Sequence, residues 1–172
     1  KVKVHIPGRF SVYNAMVTML VCNLAGIPDR AVLDGLEKVQ VKGRVEILPV
    51  SKDYSMIIDY AHNEVSTRSV LTTLLEYHPK RLICLFGCGG NRAKDRRYSM
   101  GEIGGKMADF CIITADNPRF EKNEDIIKDI EVGLAKTDGK YIVIPDRREA
   151  IFSAIHNAEE GDMIAIIGKG HE

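Results

Sequence analysis

The 172-residue sequence predicts an α/β fold: a mostly parallel sheet covered by helices on both faces, preceded by a short helical segment. Two observations predict it. Beyond Gly43, short β-branched runs alternate with amphipathic stretches of helical spacing, which is the grammar of parallel crossovers. The chain is also 45% apolar, enough for one good core and a small appendage but not for two full domains.

Taken in order, the apolar residues from Val12 to Leu24 recur at helical spacing, and Gly26-Ile27-Pro28 stops that pattern. Pro28 to Val39 reads as a second helix, and the domain boundary falls near Lys42 to Val45. Strands are expected at Val45 to Val50, Ser55 to Asp59, Arg81 to Phe86, Phe110 to Thr114, Lys140 to Ile144 and Met163 to Ile167. Helices fit between them at Ser66 to Tyr77, Tyr98 to Met107, Asn123 to Ala135 and Arg147 to Ala158.

Composition narrows the function classes. Lys+Arg and Asp+Glu balance at 24 each, so no overall field draws the chain to nucleic acid or to an anionic membrane, and a charged ligand must be held by a local cluster. The four cysteines, Cys22, Cys84, Cys88 and Cys111, sit among apolar residues without paired metal-ligand spacing, as buried thiols of a reducing cytoplasm would. No apolar run reaches the roughly 20 residues that span a bilayer, and the start carries no signal-peptide pattern. The expectation is a soluble cytoplasmic chain whose ends look cut from a longer one.

In an open α/β sheet, ligands bind beyond the carboxyl ends of the strands. Polar or glycine-rich segments follow four of the expected strands: Asp59-Tyr60-Ala61-His62, Gly87 to Arg92, Asp116-Asn117-Pro118-Arg119 and Gly168 to Glu172. At one edge they would make a single concave site.

Each segment has its own chemistry and a plainer alternative. Gly87-Cys88-Gly89-Gly90-Asn91-Arg92 lets the backbone approach an anion, with Arg92, Lys94, Arg96 and Arg97 supplying charge; it is neither a Walker A loop nor a dinucleotide fingerprint, and it also suits a tight turn before a solvated basic helix. Asp116 suits an ammonium, Asn117 both donates and accepts, Pro118 fixes the turn and Arg119 suits a carboxylate; the same run also suits an Asx-type turn. His62 and His171 each have an acid nearby, but no His/Cys/Asp spacing suggests a metal site. No Ser or Cys carries the motif of an activated nucleophile.

Together with Tyr13-Asn14 and Gly43-Arg44-Val45-Glu46, these motifs resemble those of the Mur ligases, in that family's order and over essentially the whole chain. Within the family they resemble the branch that adds the third residue of the peptidoglycan stem peptide. The resemblance implies that residues 1–44 end a central ATPase domain and that residues 45–172 form a Rossmann-like amino-acid-binding domain. It implies nucleotide contacts at Asn14, Arg44, Asp59 and His62, an anion loop at Gly87, Gly89 and Gly90, and amino-acid contacts at Arg92, Asp116, Asn117, Arg119, Gly168 and Glu172. The ligand set it implies is ATP and Mg²⁺ in the full-length enzyme, meso-diaminopimelate or a similar amino acid as the amine donor, and a UDP-N-acetylmuramoyl dipeptide held through other domains. The P-loop and metal ligands are expected upstream of Lys1, so the fragment alone is expected to be inactive.

Three positions depart from the family pattern: Asn63-Glu64 where Thr-Pro is usual, Ser11 where Asn is usual, and Asn91 where Asp is common. The Asp59 to Asn63 run is also similar to that of folylpolyglutamate and cyanophycin synthetases, which share this domain. A different class, a stand-alone nucleotide-sensing or receiver-like module, would need an acidic cluster at the first strand end, where only Asp59 comes close, and leaves the first two helices without a role.

Overall fold

The computed structural model describes residues 2–171. Two helices come first, α1 (Arg9–Leu24) and α2 (Asp29–Lys38), followed by β1 (Glu46–Leu48) and β2 (Ser55–Asp59). The chain then alternates through α3 (Glu64–Leu75), β3 (Arg81–Phe86), α4 (Asp95–Met107), β4 (Phe110–Ile113), α5 (Asn123–Leu134), β5 (Lys140–Val143), α6 (Arg147–His156) and β6 (Asp162–Ile167). Every expected strand and helix is present, with ends differing by a few residues.

The sheet order is β1-β2-β6-β3-β4-β5. All neighbours run parallel except β1, which pairs antiparallel with β2 through Glu46↔Ile58 to Leu48↔Met56. β1 and β2 are separated by a short connection, and a parallel partner would need a long crossover. The last strand, β6, inserts between β2 and β3, with Asp59 opposite Ile167 and Leu85 opposite Ile166.

Helices α3, α4 and α5 cover one face, where Leu71, Leu74, Phe86, Met100, Ile130 and Ile167 form the larger core. Helix α6 covers the other, packing Ala150 and Ala154 against Ile83, Leu85 and Ile164. The buried strands β3 and β6 are therefore almost continuously apolar, as two-faced burial requires. Cys84, Cys88 and Cys111 are buried, and desolvation pushes the Cys84 thiol well up and those of Cys88 and Cys111 to about 12, so all three stay protonated and unreactive. Cys22 is half-buried. Among the described residues, no helix is long and apolar enough to cross a membrane.

Helices α1 and α2 make a separate small cluster around Ala15, Val32 and Leu36. The opposite side of α1 is bare: Val12, Met16, Val17, Leu20 and Leu24 are all between 57% and 79% exposed. The departures noted in the sequence have local reasons. Asn63 caps α3 by accepting from Ser66 N at 3.0 Å in a reciprocal capping box, and Ser11 donates to Pro7 O at 3.0 Å.

Candidate functional site

Strands β2, β6, β3 and β4 are neighbours, so the four polar segments leave the sheet side by side. The segments after β3 and β4 are fastened to each other. Gly90 N donates to Asn117 O at 2.9 Å, Arg119 Nη1 donates to Gly90 O, and Asn91 Oδ1 accepts from Phe120 N at 3.1 Å. Asn91 and Arg119 both take left-handed conformations, φ 53° and 52°. An Asn tolerates that backbone better than most residues, as the Asp common in the family would too.

Behind the loops stands Arg97, only 1% exposed, with Nη2 donating to Glu121 Oε1 at 2.7 Å and Nη1 to Asp129 Oδ2 at 2.9 Å. Glu121 also accepts from Asn91 N. The bond from Arg97, reinforced by that from Asn91 N, holds the Glu121 carboxyl down at about 2. Arg97 therefore does not add charge to a ligand loop as the sequence suggested. It is a buried strut that secures the loop.

On the β2 side, Tyr60 joins three segments. Its hydroxyl lies 2.7 Å from His171 Nδ1, its ring meets the His171 ring edge-on at 5.4 Å, and the Arg44 guanidinium sits 5.3 Å from its centroid. His62 turns back on itself, with Nδ1 2.7 Å from Tyr60 O.

These segments enclose a cavity of about 230 Å³ lined by Tyr60, His62, Gly87, Cys88, Gly89, Arg92, Arg96, Asp116, Asn117, Arg119, Gly168 and Lys169. Eight expected site residues thus come together: His62, Gly87, Gly89, Arg92, Asp116, Asn117, Arg119 and Gly168. Its charged lining is Arg92, Arg96, Arg119 and Lys169 against the single carboxylate Asp116. Such a set suits a ligand with an ammonium and more than one anionic group. A larger hollow of about 830 Å³ lies at the opposite edge, where the strands begin, but several of its cations are already engaged, Arg81 by Asp162 and both Lys106 and Lys136 by Glu102.

Four of the expected positions, Asp59, Asn14, Arg44 and Gly90, lie outside the lining of this cavity. Asp59 is 3% exposed, and its carboxylate accepts from Val45 N at 2.8 Å and Ala61 N at 2.7 Å, so it ties β1 to the end of β2 instead of facing the cavity. Burial pushes its carboxyl up against the opposing pull of those bonds. Asn14 and Arg44 line a separate apolar groove of about 730 Å³ between α1 and α2, because they belong to the segment before the sheet. Gly90 is buried under Pro118 and not open to a ligand. Glu172 lies outside the described residues.

The glycines of the loop divide by space. A Cβ at Gly90 would sit 1.9 Å from Pro118 O, whereas one at Gly89 would meet nothing closer than Arg119 Nη1 at 3.5 Å. Both were expected to act through ligand approach, and the structure gives Gly90 a packing role instead. Gly90→Ala is expected to lower the melting temperature by several degrees, the cost of overpacking being about 1–3 kcal/mol, while Gly89→Ala melts within about a degree of wild type. Equal melting temperatures for the two variants would refute this division.

Tyr60, Cys88, Arg96 and Lys169 complete the lining and were not singled out as site residues from sequence. Their signal was position, since Tyr60 and Lys169 stand inside strand-end motifs. Arg96 was hidden in a basic run whose helical phase decides which member faces the cavity.

The family profile described as "Mur ligase, glutamate ligase domain" matches residues 43–170. The chain belongs to the Mur ligase family. It is 48% identical, over its whole length, to a UDP-N-acetylmuramoyl-L-alanyl-D-glutamate–2,6-diaminopimelate ligase of Caldanaerobacter subterraneus subsp. tengcongensis, covering 36% of that protein. A ligase of the same name from Clostridium acetobutylicum is 45% identical over 99% of the chain, again with 36% of the relative covered. A solved structure of a ligase with that name superposes with a TM-score of 0.72 at 34% identity, over 99% of this chain and 35% of the other. The Mur ligase chain described here therefore spans about a third of the length of the relatives it matches.

Proposed function

We propose that this chain is the carboxyl-terminal, amine-donor-binding part of a cytoplasmic ATP-dependent ligase that joins meso-diaminopimelate to UDP-N-acetylmuramoyl-L-alanyl-D-glutamate. The observation that carries the reading is the cavity, which sets one carboxylate, Asp116, among Arg92, Arg96, Arg119 and Lys169. Meso-diaminopimelate carries two carboxylates and two ammonium groups. Asp116 takes an ammonium, Arg119 with Arg92 takes the distal carboxylate in fork geometry, and Asn117 and Gly168 orient the rest.

In the proposed reaction the amine nitrogen attacks the carbonyl of an acyl phosphate formed with ATP. The attacking nitrogen reacts as the free amine: a C–N bond forms, the C–O bond to phosphate breaks, phosphate leaves with the electron pair, and the proton released from nitrogen passes to solvent. The contribution of this chain is positioning, which turns a bimolecular attack into an effectively unimolecular one. We assign Mg²⁺ and most phosphate contacts to the rest of the ligase, where the family resemblance puts the P-loop and metal ligands.

We further propose that residues 1–44 close a preceding ATPase domain and residues 45–172 form the amino-acid-binding domain. The bare apolar side of α1 supports this, because the two-thirds of the relatives' length outside this chain supplies what would cover it. Leu20→Asp is expected to destabilise the full-length ligase while leaving the melting of the isolated chain nearly unchanged; equal losses in both would refute the assignment.

The functional test is ADP release by the full-length ligase with the nucleotide-linked dipeptide and, in turn, meso-diaminopimelate, L-lysine or L-glutamate. Strong release with meso-diaminopimelate alone supports the reading. Release with glutamate instead would favour a folylpolyglutamate-type ligase.

A further inference from the structure

Arg147 opens α6 just after β5, at the same edge of the sheet as the cavity, yet it does not line the cavity and no sequence motif drew attention to it. Its half-buried guanidinium turns toward the strand ends: Nη2 donates to Ile167 O at 3.1 Å and Nη1 to Ala115 O at 3.4 Å. Carbonyls where a parallel strand leaves the sheet run out of ladder partners and need another donor. The residues that follow these two carbonyls are Gly168 and Asp116.

In the sheet order, β6 and β4 flank β3. One planar fork therefore spans the end of β3 and joins the two segments that carry Asp116 and Gly168. Those residues have no slack between them, since a Cβ at Gly168 would lie 3.0 Å from Asp116 Oδ2. Burial weakens the Arg147 cation, and the charge of Asp116 is what favours it.

We propose that Arg147 is a positioning residue for amine-donor binding: by clamping Ala115 O and Ile167 O it sets the separation of Asp116 and Gly168, and its charge stands behind the Asp116 carboxylate. This rests on the reading of the cavity as the amine-donor site. A fork geometry is required, because the guanidinium holds two donors apart in one plane, one for Ile167 O and one for Ala115 O in the segment after β4, whereas lysine keeps the charge but offers a single nitrogen.

The experiment is steady-state kinetics of the full-length ligase with Arg147→Met and Arg147→Lys. Arg147→Met is expected to raise KM for meso-diaminopimelate about tenfold or more while KM for ATP stays within about twofold, with Arg147→Lys in between, because small displacements of positioning groups are costly. A rise in both KM values together, or an unchanged KM for meso-diaminopimelate, would overturn the proposal. If Arg147→Met does not fold, Arg147→Lys decides: a selective rise of about threefold or more supports the clamp, and an unchanged KM refutes it. Failure of the cavity reading looks different, since the wild-type ligase itself would then release ADP without regard to meso-diaminopimelate, and the inference would fall with it.

Discussion

Replacing Arg119 with Ala in the full-length ligase is expected to collapse the preference for meso-diaminopimelate over lysine, measured as the ratio of the two kcat/KM values. Lysine lacks the distal carboxylate, so beside it the guanidinium has no anion to hold and faces the ligand's own ammonium. Discrimination thus comes from repulsion of the wrong substrate as well as from the pair made with the right one. Removing one partner of a shielded charge pair costs about 2–5 kcal/mol, and because Arg119 is exposed in this chain the lower end applies, a fall in the ratio of roughly 30-fold. The structure adds a qualification of mechanism: Arg119 Nη1 also donates to Gly90 O and so fastens the two loops. Arg119→Lys, which keeps the charge but not the fork, should therefore recover only part of the selectivity. KM for ATP should move little in either variant. A wild-type preference for lysine, or a ratio unchanged by Arg119→Ala, would defeat the assignment.

The largest stability effect is expected at Arg97. Its guanidinium is buried between Glu121 and Asp129, whose side chains are 29% and 14% exposed, so Arg97→Met takes from both carboxylates their buried partner and leaves only Lys94, 3.5 Å from Asp129, as a nearby cation. Breaking a buried pair from one side costs about 3–5 kcal/mol; with partly exposed acids, about 3 kcal/mol is expected, or roughly 10 °C in melting temperature. The pH dependence follows from Glu121. Its carboxyl is held at about 2 in the folded chain against an ordinary value of 4.5. A carboxyl depressed by folding stabilises above its unfolded value, and that contribution is lost as pH falls through the folded one. The gap in melting temperature between wild type and Arg97→Met should therefore be full above pH 5 and shrink between about pH 4.5 and pH 2. A gap that does not change over that window would show that the Arg97–Glu121 bond is not its source. Since Glu121 also accepts from Asn91 N, the variant should loosen the loop and weaken amine-donor binding as well.

Much of this was legible in the sequence. The β-branched runs at Ser55–Asp59 and Arg81–Phe86 coincide with β2 and β3 end to end, because strands buried on both faces must be continuously apolar and stop where polar loop residues begin. For the same reason the segments after β2, β3, β4 and β6 could be named as the site edge. Residues within one segment, however, are not sorted by type alone. Arg96 and Arg97 are adjacent in sequence, but at about 100° per residue on a helix they point to different places, one into the cavity and the other into the contact between α4 and α5. Asp59 and Asp116 both follow strands; Asp59 is consumed by the Val45 and Ala61 amides, whereas Asp116 is left facing the cavity.

By itself, then, the sequence determined the order and kind of the elements, the edge at which chemistry gathers, and the family, since each depends on periodicity and on short motifs read along the chain. The tertiary structure alone decided that β6 inserts between β2 and β3, that Gly90 gives way to Pro118 and not to a ligand, and that Arg147 bridges the segments carrying Asp116 and Gly168. These are contacts between residues 20 to more than 100 positions apart, as between β2 and β6, and they are set by how strands and helices stack, which no local pattern encodes.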